Sequence, residues 1–244
     1  MKYAYLTDPG IVRDHNEDNV IIVKNDNDEI LLAVADGMGG HLCGEVASSI
    51  AITHIAERFK SISSIGNKED AEAWIQSSVS EINALIYKYT EEHPESLGMG
   101  TTFVCAILTD DFLLYGNIGD SSGFAIKGDK LQKITNDHTL VNLLLKSGEL
   151  TEEEAQNHPK KNVLLKALGA TTTVDMDIFD VETDIDGILL CSDGMTNMLD
   201  ENQILNVLKE NITVEEKVNK LIIKCNNRGG TDNVSVAYLE KGVE

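Results

Sequence analysis

The sequence predicts an α+β protein in which two antiparallel sheets pack together with helices on their outer faces. Strand-like apolar runs recur throughout the 244-residue chain, several of them joined by turn-rich segments that fold them into hairpins. Helical patterns fall between the strands in pairs, which gives each sheet a cover for its apolar outer face. Strand-like runs lie near 2–7, 19–24 and 29–35, and Asn25-Asp26-Asn27-Asp28 makes the last two a hairpin. Gly44 to Phe59 carries Val46, Ile50, Ile55 and Phe59 at near-helical spacing. Asp70 to Glu92 is a longer amphipathic stretch holding Trp74 with Ile75, Val79, Ile82 and Ile86.

A central hairpin follows, with runs near 102–108 and 112–118 about a turn at Thr109-Asp110-Asp111. Its open end carries Gly98-Met99-Gly100-Thr101-Thr102 on one side and Gly119-Asp120 on the other. Glycines there fit either close approach of backbone to a bound ion or ligand, or a plain tight turn. Runs near 122–127 and 130–134 lead to short helices at Leu140–Ser147 and Thr151–Asn157, the second opening with the capping pattern Thr151-x-x-Glu154. Runs near 175–181 and 186–191, helices at Glu201–Lys209 and Val214–Asn226, and a run near 233–239 complete the order.

Composition narrows the function. The length suits one large domain or two small ones, and no linker divides it, so residues 1–244 are expected to form one domain. A hydrophobic content of 42% is ample for a core. A net charge of −21, from 41 acidic and 20 basic residues, argues against nucleic acid or anionic lipid as a partner. No apolar stretch approaches the roughly 18 residues needed to cross a bilayer, and the N-terminus lacks the apolar core of a signal peptide. Cys43, Cys105, Cys191 and Cys225 are widely spaced and read as buried reduced thiols. A cytoplasmic monomer is expected.

The chemistry is carried by short acidic motifs at strand ends. Asp36, Asp120 and Asp193 follow apolar runs, whereas Asp18 and Asp232 precede them. Folding the first hairpin about its turn brings Asp18 opposite Asp36, and bare carboxylates at that spacing repel unless a hard cation intervenes. Any single Asp-Gly is more often a plain strand-to-turn aspartate, but Asp18, Asp36, Asp193 and Asp232 together form an all-oxygen set. With no Cys or His at matching positions, that set favours Mg²⁺ or Mn²⁺ over zinc or copper. Asp36 is the candidate bridge between two ions, with the Gly37 carbonyl as a further ligand. Arg13, five residues before Asp18, is placed to clamp a phosphoryl group, although a lone arginine is more often half of a surface ion pair.

These residues, in this order, resemble the metal-dependent Ser/Thr protein phosphatases of the PP2C (PPM) family in their compact bacterial form. The matching segments are TDPGIVRDHNED at 7–18, LLAVADGMGGHLCGEVAS at 31–48, GMGTT at 98–102, GNIGDSS at 116–122, TNDHTLVNLLLKSG at 135–148, HPKKNVLLKALG at 158–169, LLCSDGMTN at 189–197 and GGTDNVSV at 229–236. The resemblance implies a four-layer αββα sandwich. It also implies two Mg²⁺ or Mn²⁺ ions at Asp18, Asp36, Gly37, Asp193 and Asp232, Glu17 acting through water, Arg13 on phosphate and Asp120 at a weaker third ion. A metal-bridging hydroxide would then attack phosphoserine or phosphothreonine directly, without a phosphoenzyme. The substrates would be phosphoproteins made by a bacterial Ser/Thr kinase, and residues 140–170 would form the family's flap beside the site.

Two positions depart from the family pattern. Met38 stands where eukaryotic members often carry a histidine proposed as general acid, which leaves water or another group to protonate the leaving oxygen. His41 is near enough to nominate, although a turn histidine with no role is commoner. Ser122 replaces the arginine that commonly follows Gly-Asp-Ser and puts the local support of Asp120 in question. The competing reading is a metal-binding but inactive relative that serves as a scaffold, and retention of Arg13 with all four core aspartates weighs against it.

Overall fold

The computed structural model describes residues 1–39 and 43–242. The chain opens with β1 (Lys2–Asp8), the hairpin β2 (Asp18–Lys24) and β3 (Ile30–Met38), then the helices α1 (Cys43–Lys60) and α2 (Lys68–Glu92). A single 3-10 turn at Pro94–Ser96 leads to β4 (Gly100–Thr101), β5 (Phe103–Leu108), β6 (Leu113–Ile118), β7 (Ser122–Lys127) and β8 (Lys130–Lys133). The short helices α3 (Leu140–Ser147) and α4 (Glu152–Gln156) precede β9 (Asp177–Val181) and β10 (Gly187–Cys191). Helices α5 (Asp193–Thr196), α6 (Glu201–Leu208) and α7 (Val214–Asn227) and the strand β11 (Val234–Glu240) finish the chain.

One sheet has the order β1-β11-β10-β7-β8 and the other β2-β3-β5-β6-β9, with β4 paired to the end of β3. Every pairing is antiparallel. The alternation of side chains along β3 shows why two sheets need two kinds of neighbour. Ile30, Leu32 and Val34 meet Leu190, Ala237 and Leu239 of the other sheet between the layers. Leu31, Ala33 and Ala35 turn outward onto Ala47, Ile55, Ile75 and Ile82 of α1 and α2. The outer face of the other sheet, with Leu189, Val234 and Val236, is covered by Met195, Ile204, Val218 and Leu221 from α5, α6 and α7. The expected layering of helices, sheet, sheet and helices follows from that double alternation.

Helix starts are fixed locally. Asn67 caps α2 with Asp70 returning the bond, and Thr151 with Glu154 does the same for α4, as its sequence pattern predicts. Cys43, Cys105, Cys191 and Cys225 are buried thiols. Among the described residues no helix is long and apolar enough to cross a membrane. Two short elements escape sequence reading. The two-residue β4 pairs with Gly37 and Met38 instead of continuing into β5, and α5 is one turn directly after β10.

Tyr115 ties the two sheets together. Its ring is fully buried and its hydroxyl donates to the Phe124 carbonyl of the facing sheet at 2.9 Å. Tyr115→Phe should therefore lower unfolding free energy by about 0.5–1.5 kcal/mol, seen as a lower urea midpoint at unchanged denaturant slope. An unchanged midpoint would show that this bond is not part of the inter-sheet contact.

Candidate active site

Strand register gathers the acidic residues. In the β2–β3 hairpin Asp18 stands directly opposite Asp36, the pairing read from the sequence. In the other sheet Ser122, Cys191 and Val236 lie in one row across β7, β10 and β11. Asp120, Asp193 and Asp232 therefore leave that sheet at the same end. Asp193 is the first residue of α5, with its carboxylate held by Asn197 Nδ2 at 3.0 Å.

Burial and mutual repulsion set the electrostatics. Asp36 is raised well above the ordinary carboxylate range by burial first, then by Asp18, Asp193, Asp120 and Asp232. Burial, opposed by hydrogen bonds from Ser192 and Ser235, pushes Asp18 up to about 7. Burial and the charges of Asp193 and Asp137 push Asp120 up to about 7. Asp193 is raised by burial and Asp232, against a side-chain hydrogen bond with Asp36, and Glu17 is raised mainly by burial. Asp18 differs from the others in its hydrogen bonding. Its Oδ2 accepts from Ser192 Oγ at 2.6 Å, while its Oδ1 is buried without a hydrogen-bond partner. An orphaned buried carboxylate oxygen is costly unless something charged satisfies it.

Arg13 lies at the rim, half exposed, with Nη2 on Asp232 Oδ2 at 2.9 Å and Nε on the Thr231 carbonyl at 3.4 Å. The sequence expectation of an arginine beside the acidic cluster matches this placement, and the ion-pair alternative is realised with a member of that cluster.

The profile of the family described as Protein phosphatase 2C matches residues 12–224. The chain belongs to the protein phosphatase 2C family. The serine/threonine phosphatase stp of Listeria innocua is 40% identical over 244 residues, spanning 100% of this chain and 97% of that protein. The protein phosphatase PhpP of Streptococcus pneumoniae is 34% identical, spanning 100% and 99%. Among solved structures, the serine/threonine phosphatase Stp1 of Staphylococcus aureus superposes with a TM-score of 0.93 at 34% identity, covering 99% of this chain and 95% of that one. PP2C phosphatases are metal-dependent, and the two-sheet, helix-flanked architecture is that of the solved bacterial members.

The residues present in this PP2C chain fit a hard divalent cation: clustered carboxylates, with one buried oxygen of Asp18 lacking a partner. Among the described residues no three His, Cys, Asp or Glu groups close on a single point. Magnesium-type sites keep several waters and need only one or two carboxylates each, so such a cage is not required.

Several supporting residues lie inside the same motifs as the acidic groups and glycines. Thr102 Oγ1 accepts from the Asp36 N–H at 3.0 Å, and the Asp36 carbonyl accepts from Thr102 N–H and Thr101 Oγ1, each at 2.9 Å. Asn233 binds the Pro9 and His15 carbonyls through Nδ2 and takes the Glu17 N–H on Oδ1, pinning the loop that carries Arg13. Gly37 meets the start of α1 so closely that an added Cβ would lie 2.1 Å from the Gly44 carbonyl oxygen. At the other glycines the structure shows a plain turn at one and a close approach to protein backbone at the other. Gly98 is an open turn, and Gly100 presses on the Leu168 carbonyl and Met38. At Ser122 the hydroxyl is buried without a partner. Positive charge near Asp120 comes instead from Lys133, whose Nζ holds both Asp137 oxygens at 2.7 and 2.9 Å. His41 lies outside the described residues.

The raised carboxylates have a measurable consequence in metal-free protein. A group whose folded pKa exceeds its unfolded value binds more protons when folded, so its stabilising effect fades as pH rises. For Asp18 the window runs from about 4 to about 7. In EDTA, Asp18→Asn should fall less in Tm than the parent protein as pH rises through that window. Parallel Tm profiles for the two proteins would contradict the assignment of strain to Asp18.

Proposed function

We propose that this PP2C-type serine/threonine phosphatase holds two Mg²⁺ or Mn²⁺ ions through Asp18, Asp36, the Gly37 carbonyl, Asp193 and Asp232. Asp120 serves a weaker third ion and Glu17 acts through water. The observation that carries this reading is the Asp18–Asp36 pair at facing strand ends, with Asp18 buried and one of its oxygens left unpartnered. When bound, such ions supply Lewis-acid charge and lower the pKa of a bound water enough to make it a nucleophile near neutral pH.

The chain's own groups do the rest. Asp36, which bears the charges of all four other aspartates, is the best placed to bridge. Arg13 turns its planar fork from Asp232 to the phosphoryl oxygens, a geometry in which guanidinium matches phosphate as it matches carboxylate. Met38 lies against Gly100 and has no proton to give, so leaving-group protonation falls to water or another group. Substrate beyond the phosphoryl group enters a groove of about 660 Å³ whose walls include Asp120, Asp193, Val141, Leu145 and Lys161. Residues 140–170 are the flap that forms one side of it. Residues 1–244 act as one catalytic domain, a cytoplasmic monomer whose substrates are phosphoproteins produced by a bacterial Ser/Thr kinase.

The protein should hydrolyse phosphoserine and phosphothreonine peptides with Mn²⁺ or Mg²⁺ and lose that activity in excess EDTA. Asp36→Ala and Asp193→Ala should each abolish turnover. Full activity in EDTA would sink the mechanism, and near-normal turnover of both variants at saturating Mn²⁺ would show the site to be elsewhere. Arg13→Ala should mainly raise KM, because one charge-assisted contact is worth about 1.5–3 kcal/mol, on the order of tenfold to a hundredfold. Unchanged KM and kcat would return Arg13 to the role of a surface ion pair.

A further inference from the structure

His138 stands where three separate parts of the molecule meet. Its backbone N–H donates to the Gly119 carbonyl at 2.9 Å, and the Gly119 N–H donates to His138 Nδ1 at 3.0 Å. Its Nε2 lies 3.0 Å from Asp177 Oδ2 at the start of β9, and Asp177 Oδ1 takes Lys166 Nζ at 3.0 Å. Its carbonyl accepts from Leu165 N–H at 2.8 Å, where the neighbouring Thr139 bridges to Leu164. The imidazole is well enclosed, its side chain only 15% exposed.

The partners dictate the tautomer. A backbone N–H can only donate, so Nδ1 must present a lone pair to Gly119. An ionised carboxylate can only accept, so Nε2 must carry the proton to Asp177. Against the effect of burial, the hydrogen bonds from His138 and Lys166 hold Asp177 below the usual carboxylate range. Neutral imidazole protonated on Nε2 alone satisfies both neighbours.

Gly119 is the residue before Asp120, and its backbone is in the left-handed region at φ +99 with Thr102 Cγ2 2.6 Å from where a Cβ would sit. The Gly119 carbonyl also accepts from Asn117 Nδ2 at 3.2 Å. Among the described residues no side chain hydrogen-bonds the Asp120 carboxylate, which takes only a backbone hydrogen bond, so its position is inherited from this turn. We propose that His138, as the neutral Nε2–H tautomer, is a positioning residue. It fixes the Gly119–Asp120 turn through Nδ1, and its Nε2 contact with Asp177 sets the tautomer that leaves Nδ1 free to accept. The proposal deepens the reading of Asp120 as part of the phosphatase site and rests on that reading for its kinetic consequence.

Two substitutions separate the two ring nitrogens. His138→Asn keeps an acceptor near Nδ1 for Gly119 but cannot reach Asp177. His138→Gln keeps a donor near Nε2 for Asp177 but loses the acceptor. The expected result is that His138→Gln lowers kcat on a phosphothreonine peptide by about tenfold to a hundredfold, as for a catalytic group displaced by a fraction of an ångström. KM should stay near the parent value, the Mn²⁺ concentration for half-maximal rate should rise, and His138→Asn should keep most of kcat. Independently of activity, ¹⁵N NMR of the metal-free protein at neutral pH should show His138 with Nε2 protonated and Nδ1 bare. An Nδ1–H tautomer or an imidazolium there would overturn the proposal, as would parent-like kcat in His138→Gln or equal losses in both variants. If both variants fail to fold, the NMR result decides. A parent protein that does not hydrolyse phosphopeptides at all would count against the phosphatase reading of the site, and the tautomer measurement would stand apart from it.

Discussion

The β2–β3 pairing that sets Asp18 opposite Asp36 is the constraint on which the rest depends. It drives two carboxylates together at the end of a hairpin whose second strand is buried, and the sandwich then brings Asp120, Asp193 and Asp232 to the same place from the other sheet. Such an arrangement raises carboxylate pKa values and leaves an oxygen of Asp18 unpartnered, at a real cost to the metal-free fold. The fold tolerates that cost because its cores do not depend on it. The apolar layers between the sheets and beneath each helix group are complete without the acidic end.

What holds the acidic end in place is a set of uncharged polar residues. Thr101 and Thr102 grip the backbone of Asp36, and Ser192 spans from Asp18 to the Ser235 N–H. Asn233 fastens the Pro9–Glu17 loop to the start of β11. These bonds join segments far apart in sequence, so the carboxylates cannot relax away from one another by moving one loop. Preorganisation of this sort would let a cation enter a site whose geometry is already set.

The sheet-and-helix order and the Asp18–Asp36 juxtaposition were legible in the sequence because both follow from local signals. Period-two alternation, a turn-rich tetrapeptide and capping pairs each act within a few residues. The layered arrangement also followed, since apolar positions on both faces of β3 demand a cover on each side. The roles of Thr102, Asn233 and His138 were not legible, because each depends on a partner that only tertiary packing supplies. The Gly98–Gly100 segment shows the same limit. Its glycines were compatible with a plain turn or a close approach; Gly98 is the turn, and the partner at Gly100 is the backbone of Leu168. Lys133 in place of an arginine at position 122 is a similar case, a charge reaching Asp120 from a different strand.

The fold stores carboxylate repulsion, which a bound divalent cation would relieve. Calorimetric titration of Mn²⁺ into the metal-free protein near pH 6.5, in buffers of different ionisation enthalpy, tests it directly. Raised carboxylates hold protons that must leave when the ion binds. The measured heat should therefore vary with the buffer and reveal net proton release, and that release should shrink as pH rises above about 7. Binding with no dependence on buffer at pH 6.5 would contradict the claim, and so would the absence of Mn²⁺ binding.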